Sequence, residues 1–144
     1  MSENRIVGTW KLVSFESTRA DAVSAFLFGA DAMGMIMYDA NGHMAVQIMQ
    51  QARPSFAQAD LRAGTPEEIK AAFEGYLAYF GRYEINEAEG FVIHHVEGSL
   101  FPNWVGADQK RFYVLSGDRL VLTTPPQQTG GVTGTSTLVW ERVV

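Results

Sequence analysis

The chain contains no cysteine. That excludes a disulfide framework, a thiolate nucleophile, an iron–sulfur cluster and any Cys-rich metal site. Basic residues are also in short supply, with 11 Lys and Arg against 16 Asp and Glu and a formal net charge of −5. A surface of that sign does not track phosphates, so nucleic acid is not an expected partner. No uninterrupted apolar run reaches 18 residues, so a spanning helix and a membrane partner are not expected. Met1-Ser2-Glu3-Asn4-Arg5 leads into a strand-like segment without the apolar core of a signal peptide, and the expected setting is cytoplasmic. What the sequence does have is 144 residues, 47% of them hydrophobic. A single domain over residues 1–144 follows, because a chain of this size buries about 70% of its unfolded surface without covalent staples.

Most of the chain has a period of two. Ile6 to Glu16 alternates, Gly34 to Tyr38 and His43 to Gln50 flank an Asn41-Gly42 turn signal, and both turn residues tolerate positive φ. Tyr83 and Ile85, Phe91 to Ser99, Gln109 to Leu115, Arg119 to Thr124 and Thr135 to Val143 are further strand-like runs, separated by Glu87-Ala88-Glu89-Gly90, Ser116-Gly117-Asp118 and the Pro/Gly-rich Pro125 to Gly134. Ser17 to Met33 has no strong period and reads as a loop, short helical turn or lid carrying a Phe26-Leu27-Phe28 island. The middle differs. Thr65 is a good N-cap, Pro66 suits the first helical position, and Glu67 and Glu68 sit where the helix dipole favours negative charge. Ile69, Ala72, Phe73, Tyr76, Leu77 and Phe80 then recur at helical spacing up to Gly81, which gives one inserted amphipathic helix near 66–80. An all-β fold is expected, an antiparallel up-and-down barrel of about 8–10 strands, since closure removes exposed edges.

In such a barrel the first and last strands are neighbours. A tryptophan at 10 and a guanidinium at 142 are then expected to stack across the seam, giving Trp10, Trp140 and Arg142 structural roles. The ordered series Gly8-Thr9-Trp10-Lys11-Leu12-Val13-Ser14, Asn41-Gly42-His43-Met44, Tyr76 to Glu84, His94-His95-Val96-Glu97, Pro102-Asn103-Trp104-Val105-Gly106 and Leu138 to Arg142 resembles the bacterial and fungal lipocalin-like domain family. The resemblance covers nearly the whole chain and implies a calycin-type barrel around a central ligand cavity. Ser17 to Met33 departs from the family pattern, which affects the cavity mouth. Fold alone does not distinguish binding from catalysis.

Register is legible at one hairpin. With Gly117-Asp118 as a two-residue turn, Leu115 pairs with Leu120 and Tyr113 with Leu122, so this apolar set faces inward and takes Arg111 with it. An inward Arg in an apolar cavity requires a carboxylate, carbonyls or an anionic ligand. The preceding hairpin permits two registers. A three-residue loop Ala88-Glu89-Gly90 turns His95 and Glu97 inward, and is favoured by Gly90 at a bulge position; a four-residue loop turns His94 inward instead. Adjacent His94 and His95 point to opposite faces of a strand and do not share a metal. No nucleophile elbow, Walker motif or dinucleotide fingerprint occurs, and neither a metal nor a cofactor is expected.

The expected function is binding of a small apolar or aromatic molecule, with Tyr38, Gln47, Tyr79, Tyr83, His95, Glu97, Arg111 and Tyr113 as contacts. Methionines 33, 35, 37, 44 and 49 suit an adaptable lining or an ordinary core. The alternative is a cofactor-free isomerase, cyclase or hydratase with His95 (or His94) as acid/base and Arg111 stabilising an oxyanion. A structural reading of the inward histidine is a self-satisfied buried polar cluster. A third reading makes the Phe26 to Phe28 island an interaction patch. The chain is expected to be a monomer or homodimer.

Overall fold

The computed structural model describes residues 5–19, 24–25, 28–129 and 131–144. Its strands run in the order β1 (Gly8–Arg19), β2 (Ser24–Ala25), β3 (Met33–Tyr38), β4 (His43–Met49), β5 (Tyr76–Asn86), β6 (Phe91–Ser99), β7 (Asp108–Ser116), β8 (Arg119–Thr123), β9 (Gln127–Thr129) and β10 (Val132–Arg142). Helix α1 (Pro66–Glu74) lies between β4 and β5, and a 3-10 turn (Pro102–Trp104) between β6 and β7. All pairings are antiparallel, and β1 closes on β10. Eight strands thus form a closed barrel, and the short β2 and β9 extend β1 and β10 at one end.

Tight turns set the register at the other end. In the β3–β4 connection Asp39 Oδ1 accepts the amides of Asn41 (2.9 Å) and His43 (2.8 Å), and Gly42 takes φ +88°. The two-residue turn at Gly117-Asp118 forms as expected, with Leu115 opposite Leu120 and Tyr113 opposite Leu122. Between β5 and β6 the loop is four residues long, with Asn86 opposite Phe91 and Tyr83 opposite His94. Asn86 determines this. Its carboxamide accepts from Glu89 N and its carbonyl from Gly90 N, so the loop closes one residue before the three-residue alternative would.

The helix is shorter than its apolar stripe. A capping box joins Thr65 and Glu68, Pro66 occupies the first turn, and Gly75 ends the helix. Tyr76 to Phe80, expected to be helical, is instead the start of β5, where Tyr76 pairs with Met49 and Tyr79 with Val46. These five residues satisfy either period, and the neighbouring strands decide between them. No residue of α1 is buried, and Ile69 and Phe73 are about half exposed. Bulges at Leu12/Ser14 and Phe80/Gly81 shift the strand pattern. The first turns Phe15 and Ser17, rather than Ser14, toward the interior.

The seam between first and last strands is built as expected. Trp10 pairs with Arg142, whose Cζ lies 4.2 Å from the Trp10 ring centroid. Arg142 Nη1 and Nη2 donate to the carbonyls of Val7 (2.8 Å) and Arg5 (2.7 Å), while Trp10 Nε1 donates to Ile6 O (2.9 Å). Trp10, Trp140, Ile36, Leu120 and Val92 are fully buried and fill this end. The barrel is therefore plugged here, and open space is left toward the other end. The expected methionine lining is not observed. Met44 is buried, but Met33, Met35 and Met37 alternate onto the outer face of β3 and are nearly half exposed. Phe26 and Leu27 of the apolar island lie outside the described residues, and Phe28 is buried against Phe15 at 5.6 Å.

Candidate functional site

A cavity of about 270 Å³ occupies the barrel above the Trp10–Arg142 plug. Phe15, Ile36, Val46, Ile48, Leu122 and Leu138 give it apolar walls, and Phe73 and Glu74 of α1 with Phe101 and Trp104 of the 3-10 turn rim its mouth. Its polar groups come from two sides, Tyr79, His94 and Arg111 from β5, β6 and β7, and Thr124, Gln127 and Ser136 from the end of β8, β9 and β10.

His94 is 1% exposed and lies between two phenols. Tyr38 Oη is 2.6 Å from Nε2 and Tyr79 Oη 2.7 Å from Nδ1. Burial, then the nearby Arg111 guanidinium and then His95, push its pKa down to about 3, so the imidazole is neutral at pH 7. A neutral imidazole carries one N–H and one acceptor. It therefore accepts from one of the two phenols and donates to the other. Burial raises the pKa of both phenols, Tyr38 well above its ordinary value, with Arg111 pulling the other way.

Arg111 has neutral partners. Nη1 donates to Lys110 O (2.8 Å) and Nη2 to Gln109 Oε1 (3.1 Å), and among the described residues no carboxylate pairs with it. On the wall contributed by β10, across the barrel from β5 and β6, Trp140 is fully buried and its Nε1 has no hydrogen-bond partner among the described residues.

The expected contact residues divide. Tyr79 and Arg111 line the cavity. Tyr38 stands directly behind it through His94, whereas Tyr83 lies deeper, donating to Asp39 O (2.6 Å) with its ring edge-on to Tyr38 at 4.9 Å. Tyr113 packs against the core and does not line the cavity. Three expectations are corrected. His95 faces outward, where Nδ1 is 2.7 Å from Asp108 and Nε2 3.7 Å from Glu84, because the four-residue loop reverses the parity of β6. Asp108 is the main cause of its raised pKa. Glu97 shares that parity and is exposed. Gln47 is exposed on the outer face of β4 and bonds to Tyr76 Oη. Conversely, Trp140, expected only to plug the barrel, also lines the cavity, as do Phe15, Trp104, Thr124 and Ser136. Phe15 and Ser136 depend on the bulge in β1 and on the β8–β10 pairing, for which the sequence carries no local signal.

The lipocalin-like domain family matches residues 7–143. The chain belongs to that family. As a lipocalin-like protein it is also similar to the 4'-hydroxy-3'-methoxypropiophenone carrier protein ppsC of Aspergillus oryzae, 35% identical over 107 residues that cover 69% of this chain and 96% of the relative. The lipocalin-like barrel, its cavity and a relative named as a carrier together support small-molecule binding. Among the described residues no helix is long and apolar enough to cross a membrane, and no group of three or more His, Asp and Glu side chains is placed to hold a metal ion.

Proposed function

We propose that this lipocalin-like protein is a carrier for a single-ring aromatic molecule bearing an oxygen acceptor, with a hydroxyaryl ketone as the favoured class. One observation carries the reading: an apolar cavity of about 270 Å³ whose polar side presents Arg111 and the Tyr79 hydroxyl, braced from behind by His94 and Tyr38. Size supports it, since an apolar cavity of about 150 Å³ holds benzene, and the larger space here accommodates a ring with short substituents. Chemistry supports it as well. A guanidinium and a phenol converging on an apolar chamber fix the orientation of a ligand through its oxygen, while the walls supply most of the contact area. The relative is named for an aromatic ketone of this kind, 4'-hydroxy-3'-methoxypropiophenone.

Acid/base catalysis by the inward histidine has less support. Both nitrogens of His94 are engaged by phenols, and an imidazole pushed down to about 3 is a weak base at neutral pH. Titration with 4'-hydroxy-3'-methoxypropiophenone, followed by calorimetry and by the fluorescence of Trp104 and Trp140, tests the carrier reading. Saturable binding is expected, and a Val46→Phe variant that fills the chamber should lose it. Unchanged binding by that variant would place the ligand elsewhere.

A further inference from the structure

Resting on the reading of the cavity as a hydroxyaryl ketone site, we infer that the protein selects the ionised form of its ligand, holding an acidic phenol as the phenolate. The polarity of the hydrogen-bonding groups carries this. Arg111 brings a full positive charge to the cavity wall, and its partners there, the Lys110 carbonyl and the Gln109 carboxamide, are both neutral. A guanidinium left without an anion at an apolar chamber is best satisfied by an anion that enters with the ligand.

The neighbouring groups supply no anion. Tyr38, His94 and Tyr79 are joined by two hydrogen bonds and are all neutral. Across the barrel, the Trp140 indole N–H is buried without a partner among the described residues. Arg111 and Trp140 thus offer donors, and the acceptors nearby are neutral: Gln109 Oε1 is taken by Arg111 itself, Thr124 Oγ1 by the Ser136 amide, and Gln127 adds a carboxamide to the lining. A neutral phenol leaves the charge of Arg111 without a counter-ion. A phenolate oxygen brings only lone pairs and is matched.

The titratable groups facing the space are Arg111 from β7, His94 from β6 and Tyr79 from β5, backed by Tyr38 from β3, with Glu74 and Tyr76 at the mouth. Glu74, at the end of α1, lies 3.9 Å from Lys70 and forms no ion pair with Arg111 among the described residues. On binding, the ligand O–H bond breaks heterolytically, the electron pair stays on oxygen, and the proton leaves to bulk water. His94 does not take it, since neither nitrogen is free. A phenol with a para carbonyl suits such a site, because conjugation spreads the negative charge onto the ketone oxygen and makes the hydroxyl unusually acidic.

The test follows the absorption of 4'-hydroxy-3'-methoxypropiophenone on titration with the protein, at a pH below the ligand's own ionisation. The phenolate of a para-acyl phenol absorbs at longer wavelength than the neutral form. The expected result is a long-wavelength band in the bound ligand, with about one proton released per molecule bound, read by calorimetry in buffers of different ionisation enthalpy. The methyl ether 3',4'-dimethoxypropiophenone, which has no proton to lose, should bind about 10–100-fold more weakly, the range expected for one charge-assisted contact. Arg111→Met should abolish the band. The wild-type spectrum and proton count stand without that variant. A neutral-phenol spectrum at saturation, no proton release, or equal affinity for phenol and methyl ether overturns the inference and leaves the carrier reading standing. Failure of both compounds to bind overturns the hydroxyaryl ketone reading, and the inference with it.

Discussion

Replacing Arg142 with Met tests whether the barrel is held shut by its seam. The guanidinium donates to the Val7 and Arg5 carbonyls at 2.8 and 2.7 Å and stacks on Trp10 at 4.2 Å. Hydrogen bonds from a charged donor contribute about 1.5–3 kcal/mol each, and a cation–π contact about 0.5–2 kcal/mol. These do not add in full. The Arg5 bond is exposed, so water replaces much of it, and the Met side chain keeps part of the stem packing. The highly exposed Asp118, 3.6 Å from Nε, contributes little. A loss of about 2–4 kcal/mol follows. At about 2–4 °C per kcal/mol, the midpoint of that range corresponds to a fall in Tm of about 6–12 °C. Urea unfolding read by tryptophan fluorescence and far-UV circular dichroism measures it, and Arg142→Lys, which retains charge without the planar fork, should fall between the two. A loss below about 1 kcal/mol for Arg142→Met would refute the reasoning, leaving strand pairing and Trp10 burial sufficient for closure.

Other consequences are open to measurement. His94 has its pKa lowered from 6.5 to about 3, so between those values the unfolded chain takes up a proton that the folded protein refuses. The stability this residue contributes is complete above pH 6.5 and is lost as pH falls toward 3, by up to about 1.4 kcal/mol per pH unit; denaturant titrations at pH 7, 6 and 5 should show that slope flattened in His94→Gln. Gly81→Ala would set a Cβ 1.9 Å from the His95 carbonyl oxygen, and a loss of about 3 kcal/mol or failure to fold is expected, whereas wild-type stability would show that the bulge yields easily. Thr65→Ala removes the cap on Glu68 N (3.2 Å) and should weaken α1 by about 1 kcal/mol, seen as faster hydrogen exchange at the Glu68 amide. Unchanged exchange there would mean that the capping box is not formed in solution.

How far the fold was legible depended on where turn chemistry is written into the sequence. Asn41-Gly42 and Gly117-Asp118 each specify a hairpin by local backbone preference, and the second carries the inward register of Tyr113, Leu115 and Arg111 with it. Between β5 and β6 the decision rests on the side chain of Asn86, and a shift of one residue exchanges His94 for His95 across the sheet. Gly90, at φ +75°, is compatible with either loop and so could not discriminate. Tyr76 to Phe80 failed for a different reason: its apolar spacing suits a helix, but pairing to β4 is a contact with residues some thirty positions away. The Tyr38–His94–Tyr79 cluster is likewise a meeting of three strands, and no single segment announces it.

The outward methionines have a consequence for chemical damage. Met33, Met35 and Met37 present their thioethers on the outer face of β3, and among the described residues no methionine lines the chamber. Peroxide therefore meets sulfur on the outside first. Conversion to sulfoxides makes that face more polar, but it leaves the shape and donor pattern of the chamber as they were, so ligand uptake should persist through an oxidative exposure that alters how the outer wall meets its surroundings.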